Sequence, residues 1–368
     1  MDKLDIDAFG VKKIMAFKQY RSGIPVRLAT NAENFEVSDS ATIENSITIE
    51  NSITIENSIT IENSVTVEEI YTRFDVPTFS VVGESGVVAY STDAISWTGT
   101  TLPASIDWSS VTHGDGKFSA VASHSTTGAY STDAITWTET TMPSSVQWQS
   151  VTYGGGTFAA VAYYSTIAAY STDAIAWTQT AMPASVNWQS VTYGNGKFLA
   201  VAYYDTTAAI STDGITWTEG TMPSSVPWQS VTYGGGKFVA VSYYDSTAAY
   251  STDAISWTQT ALPSGIDWRS VTHGDGKFVA VANYNTTAAV STDGITWTST
   301  ARPAGAGWNR VTYGGGKFAA VSYSSSTAAY STDAITWTQA ALPASIGWRS
   351  ITQGDVNKIA KMNNFIYP

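Results

Sequence analysis

The chain has 368 residues, 43% of them hydrophobic and 13% charged, where about 25% charged is usual, so its polarity rests on uncharged Ser, Thr, Asn and Gly. Eighteen Lys and Arg against 30 Asp and Glu give a net charge of -12, which repels phosphate backbones and anionic lipid and argues against nucleic-acid and membrane partners. Without cysteine there is no disulfide framework or thiolate zinc site, and no stretch of about 18 apolar residues offers a membrane span.

The acidic start, Met1 to Ala8, predicts no secretion signal. Residues 1–40, with the apolar and basic piece Val11 to Ala29, are predicted to be an anchoring segment. A repeat of period six follows over residues 41–69, ATIENSITIENSITIENSITIENSVTVEE. Ile43, Ile47, Ile49, Ile53, Ile55, Ile59, Ile61, Val65 and Val67 share one parity with Asn45, Asn51, Asn57 and Asn63, while Thr, Glu and Ser fill the other, so the segment reads as a one-faced β shaft. A single-chain β-helix of hexapeptides uses about 18 residues per coil, so 29 residues fall short of two coils and cannot bury the isoleucines alone. The economical solution is three identical chains wrapped together, a homotrimer with isoleucine inside and asparagine pairing across the axis. Residues 70–77 read as a linker.

All 14 tryptophans beyond the linker keep a period of 40: Trp97, Trp137, Trp177, Trp217, Trp257, Trp297 and Trp337 in one set, Trp108, Trp148, Trp188, Trp228, Trp268, Trp308 and Trp348 in the other. Within a unit, four short β-rich runs are separated by turn residues: WQSVTYG from Trp228, KFVAVSYY from Lys237, TAAYST from Thr247 and ISWTQT from Ile255. Seven such units predict an all-β fold, a seven-bladed β-propeller over residues 78–354. A linear solenoid is the competing architecture. The ends favour the ring, because the first unit lacks a Trp-led first strand and the last, Trp348 to Gly354, supplies only that strand, giving a 1+3 closure without an open edge. Residues 355–368 form a C-terminal tail.

The segment YSTDAITWT from Tyr130 recurs at Tyr170, Ile210, Tyr250, Val290 and Tyr330, and it resembles the Asp-box, or BNR, repeat of sialidase-like propellers. Ser131, Asp133, Thr136 and Trp137 match that pattern, although the box is one residue short and its glycine survives only as Gly214 and Gly294. The resemblance implies that Asp93, Asp133, Asp173, Asp213, Asp253, Asp293 and Asp333 are structural, each accepting N–H groups of its own turn. Sialidase chemistry would need an arginine cluster, a tyrosine with a supporting glutamate and an acid-base aspartate. Arg269, Arg302, Arg310 and Arg349 align with no such cluster, and the chain is expected to be no enzyme. One carboxylate per box is too few for a cation, so neither metal nor cofactor is expected. His113 and His273 stand where Tyr153, Tyr193, Tyr233 and Tyr313 stand in other units and read as packing. The GGGK runs at Gly234 and Gly314 lack phosphate-loop spacing and read as hairpin turns.

The loop between second and third strands varies most between units: SHST, YYST, YYDT, YYDS, NYNT and YSSS. Its residues His124, Tyr164, Tyr204, Asp205, Tyr244, Asp245, Tyr284 and Asn285 are candidate ligand contacts, since aromatic faces stack on sugar C–H surfaces while carboxylates and carboxamides take hydroxyls. The alternative is that these tyrosines fill gaps between blades. Anchor, shaft and head in this order resemble a bacteriophage tail fibre. The expected protein is therefore a virion-surface fibre, made in the host cytoplasm and mounted by its N-terminus on a tail or baseplate protein, whose head binds a host-surface glycan. A purely structural capsid or tail decoration and a glycan hydrolase of sialidase-like fold are the alternatives. The shaft reading predicts a solution mass of three chains by light scattering or native mass spectrometry, and a monomer would contradict it.

Overall fold

The computed structural model describes residues 5–6, 12–13, 32–37, 40–43, 48–55, 58–61, 66–67, 70–283, 286–302 and 307–361. It divides into two compact units, one of residues 1–76 with 357–368 and one from Pro77 to Val356.

In the first unit, short strands of the hexapeptide region pair in parallel within the chain. Ser40–Ile43 lies beside Ser58–Ile61, and Thr48 lies opposite Thr66, a step of 18 residues or three hexapeptides.

The second unit is a β-propeller. Runs of Val, Thr, Tyr, Phe and Ala, cut at short intervals by Gly-Gly or Ser-Thr-Asp, make hairpins. Five separate four-stranded antiparallel sheets follow the repeat in chain order. In the fourth of them Trp228–Gly234, Lys237–Ser242, Thr247–Ser251 and Thr258–Ala261 pair in sequence, with Trp228 opposite Ser242 and Phe238 opposite Ser251. A bulge follows the first-strand tryptophan in six units, from Trp108 to Trp308, as between Trp228 and Ser230.

The remaining strands form one continuous ladder, in the order Thr98–Thr101, Val87–Ser91, Ile70–Gly83, Thr338–Lys361, Lys317–Ser331, Gly307–Gly314. The blade sheets therefore number six and not the predicted seven. The reason is Thr338–Lys361, which runs unbroken from the fourth strand of one unit into the Trp348-led first strand of the next. One part pairs with Lys317–Ser331, Thr338 opposite Tyr330, and the strand also borders Ile70–Gly83, so two sequence units share a sheet. The C-terminal strand thus sits beside the N-terminal three, where a Cβ on Gly83 would come within 2.8 Å of Ile346.

Trp108, Trp148, Trp188, Trp228, Trp268, Trp308 and Trp348 are fully buried. Each removes about 150–250 Å² from water, worth at most about 4–6 kcal/mol. Six of the seven indole N–H groups are held by a carbonyl of the preceding connection, as Trp148 Nε1 donates to Ser144 O and Trp348 Nε1 to Ala344 O, both at 3.1 Å, whereas Trp308 Nε1 has no partner among the described residues. Behind them Phe118, Phe158, Phe198, Phe278 and their equivalents tilt against the second tryptophan set, as Phe118 does on Trp137 at 6.4 Å.

Successive first strands interlock by two devices. The Oγ of Ser110 accepts the N–H of Val151 in the next unit at 3.1 Å, and Ser150, Ser190, Ser230 and Ser270 do the same for Val191, Val231, Val271 and Val311. Ser350 accepts from Val111 at 3.1 Å, joining the end of the propeller to its beginning. The second device is a ring seated on a glycine. A Cβ on Gly114 would stand 2.0 Å from Cγ of Tyr153, and Gly154, Gly194 and Gly274 meet Tyr193, Tyr233 and Tyr313 in the same way. His273 sits on Gly234, Gln353 on Gly314 and His113 on Gly354, which completes the circle. Burial lowers the pKa of both histidines, in keeping with packing.

At the hairpins between third and fourth strands, Asp253 Oδ1 accepts N–H of Ile255 and Ser256 at 2.8 Å and the Ser251 hydroxyl at 2.9 Å. Asp93, Asp133, Asp173, Asp213, Asp293 and Asp333 repeat the arrangement. The following residue is left-handed, Ala254 at φ 66° for example, and Gly294 is glycine because a Cβ would stand 2.7 Å from Val239 Cγ2. The N–H groups favour the charged carboxylate and draw Asp253, Asp293 and Asp333 from 3.8 to about 2. A folded-state pKa below the ordinary one stabilises the fold above pH about 4 and loses that contribution as pH falls toward 2. Thermal midpoints measured from pH 5 to 2 should fall, and less steeply in Asp253→Asn.

Candidate ligand-binding rim

The loops joining second to third strands lie at one end of the sheets together with the connections between units. Each is pinned there by its first residue. Tyr163 N–H donates to Gln147 O, Tyr203 to Asn187 O, Tyr243 to Pro227 O and Asn283 to Asp267 O, at 2.7–2.9 Å. Ser145 Oγ donates to His124 O at 3.3 Å and Ser225 Oγ to Tyr204 O at 3.2 Å.

The second loop residue is left-handed at His124, Tyr164, Tyr204, Tyr244 and Ser324, with φ between 50° and 71°. For bulky side chains this is a strained region. The strain turns the side chain out: Tyr164, Tyr204 and Tyr244 are 71%, 58% and 58% exposed, and His124 is exposed too. Each outer tyrosine leans on its inner neighbour, Tyr164 on Tyr163 with centroids 4.7 Å apart and Tyr204 on Tyr203 at 4.8 Å. Tyr243 contacts Tyr244 and lies 6.5 Å from Tyr203, so the aromatic run continues from one unit to the next. Burial raises the Tyr203 hydroxyl to about 12 and Tyr243 higher still, so both stay neutral and act as donors and stacking faces.

The candidate carboxylates are committed to their own turns. Asp205 Oδ1 accepts from Thr207 N at 2.8 Å and Thr207 Oγ1 at 2.7 Å, and Asp245 Oδ1 accepts from the Ser242 hydroxyl and from Thr247 N. Tyr284 and Asn285 lie outside the described residues. The aspartates of the third-to-fourth-strand turns are at the opposite end of the sheets. Among the described residues no group of three or more His, Cys, Asp or Glu is arranged to hold a metal ion.

The same rim carries arginines that the sequence did not gather into a site. Arg269 stacks over Tyr243, 4.2 Å from its centroid, and donates to its hydroxyl at 2.7 Å, while that hydroxyl donates to Asp267 at 3.2 Å. Arg349 lies 5.2 Å from the Tyr323 ring and pairs with Glu84 at 2.5 Å, to which Tyr323 also donates. Between them Arg310 Nη1 donates to Arg269 O at 3.2 Å and Asn309 O at 3.0 Å. Burial, and then the charges of Arg269 and Arg349, lower Arg310 to about 10, so it remains charged near neutrality. The signal available in the sequence was departure from the repeat: Arg310 replaces the serine of six other units, and Arg269 and Arg349 stand where Gln149, Gln189 and Gln229 stand.

No family model matches the sequence, and no curated protein matches it. Solved structures do resemble it. Streptogramin B lyase superposes with a TM-score of 0.61 at 12% identity, covering 69% of this chain and 93% of the lyase. Catalytically inactive virginiamycin B lyase from Staphylococcus aureus with quinupristin gives 0.59 at 12%, covering 74% and 99%. YCF48 bound to D1 peptide gives 0.54 at 12%, covering 66% and 84%. At these identities the likeness extends to the β-propeller fold, which hosts enzymes and binding proteins alike.

Proposed function

We propose that this chain is a virion appendage of the tail-fibre kind, with an Asp-box propeller that binds a host cell-surface glycan without catalysis. Residues 1–40 mount it on a tail or baseplate protein, and the hexapeptides hold three copies together on the virion surface. The carrying observation is the aromatic run of Tyr164, Tyr204 and Tyr244, each held outward in a left-handed conformation on successive units. The turn sets that conformation, since His124 and Ser324 share it, but placing a bulky, exposed tyrosine there in three successive units is what a stacking surface for sugar rings requires. Three heads on one shaft would convert weak sites into firm attachment.

Tyr204→Gly separates binding from packing. Glycine relieves a left-handed strain of about 1 kcal/mol, so the thermal midpoint should hold or rise. A lost stacking contact of about 0.5–1.5 kcal/mol should weaken oligosaccharide binding roughly two- to twelvefold, read on a glycan array and by calorimetry with the full chain. A fallen midpoint with unchanged binding would make these tyrosines packing residues.

A further inference from the structure

We propose that Asn195 is a site of spontaneous covalent modification, converted to a carboxylate through the Gly196 amide, and that the change draws Lys197 off its contact with the following unit.

The hairpin between first and second strands is a two-residue turn, and such turns require both residues to be left-handed. Asn195 and Gly196 comply at φ 48° and 73°, between the paired residues Gly194 and Lys197. The same turn is Asp115-Gly116 and Asp275-Gly276 in two other units, and two glycines from Gly155, Gly235 and Gly315. Asn195-Gly196 is the one Asn-Gly pair in the chain. Its main-chain nitrogen at Gly196 stands outside the ladder, whose last pair is Gly194 with Lys197. Nothing lies within 4 Å of where a Cβ on Gly196 would be, so neither a side chain nor a neighbour crowds that nitrogen. The Asn195 side chain is exposed at the tip and holds no hydrogen bond among the described residues.

The step needs only water. The Gly196 nitrogen gives its proton to solvent and attacks Cγ of Asn195, the new C–N bond closes a succinimide ring, and the side-chain nitrogen leaves as ammonia. Water then opens the ring at either carbonyl, leaving aspartate or isoaspartate at position 195.

Equivalent units show where the new charge acts. Asp115 meets the lysine two residues on, Lys117, at 3.7 Å, and Asp275 meets Lys277 at 3.0 Å. Lys197 has no carboxylate in that place and reaches across instead, donating from Nζ to Asp253 O of the next unit at 2.7 Å. A carboxylate at position 195 competes for the same ammonium through a charge-assisted bond, which is stronger than one to a neutral carbonyl. Modification therefore trades a tie between units for one inside a hairpin.

Full-length protein, folded and in urea, is incubated at mildly alkaline pH, digested and mapped by mass spectrometry. The mass gain of amide-to-acid conversion should appear at Asn195 in the folded protein, ahead of Asn187 and Asn309. It should vanish in Asn195→Gly, which copies the Gly155-Gly156 turn, and slow in Gly196→Ala, since left-handed alanine is already held at Ala134 and Ala174. A gain confined to the urea-unfolded chain would overturn the site, because the turn would then be protective. The consequence has its own readout: Lys197→Ala should lower the thermal midpoint of wild type more than that of Asn195→Asp, where the tie is already lost and the exposed pair that replaces it adds little. An equal fall in both backgrounds would show that Lys197 keeps Asp253, and would overturn the exchange of partners while leaving the modification in place.

Discussion

The structure depends on the interlock between successive first strands. A ring on one strand occupies the space over a glycine of the strand before, and a serine hydroxyl accepts an amide N–H from the strand after. A larger residue at Gly154 or Gly194 would collide with the tyrosine seated there. These contacts are local to each pair of neighbours, yet they close into a circle because His113 sits on Gly354 and Val111 donates to Ser350. Closure turns weak pairwise fits into a cooperative whole and leaves no strand edge at the seam.

Much of this was legible in the sequence because tryptophan spacing is a direct record of repeated packing. Trp108 to Trp348 announce the first strands, the glycine runs announce their ends, and the truncated terminal units announce the 1+3 seam. The number of separate sheets was not legible. A repeat count registers units, whereas sheets are counted by unbroken hydrogen bonding, and Thr338–Lys361 bridges two units without a break. The hexapeptides show a similar limit: periodicity fixes which residues share a face but leaves open which strand pairs with which, and here Ser40–Ile43 lies beside Ser58–Ile61.

The candidate rim divides the same way. Variable loops drew attention to Tyr164, Tyr204 and Tyr244, and the structure turns all three outward. The loop aspartates looked like ligand contacts by composition, but Asp205 and Asp245 spend their Oδ1 atoms on their own turns. The arginines escaped notice because they lie about forty or eighty residues apart and form no linear motif. Only the fold brings equivalent positions of consecutive strands side by side, after which a substitution at one position becomes a neighbour of the next.

The central claim is that the ring is shut, and the most direct measurement compares the stability of Trp348→Ala with that of Trp188→Ala. In a closed ring the two tryptophans occupy equivalent buried places, and each loss should cost about 3–5 kcal/mol in equilibrium denaturation. A Trp348→Ala protein as stable as wild type, beside a crippled Trp188→Ala, would mean that the last strand is a loose end and the ring is open.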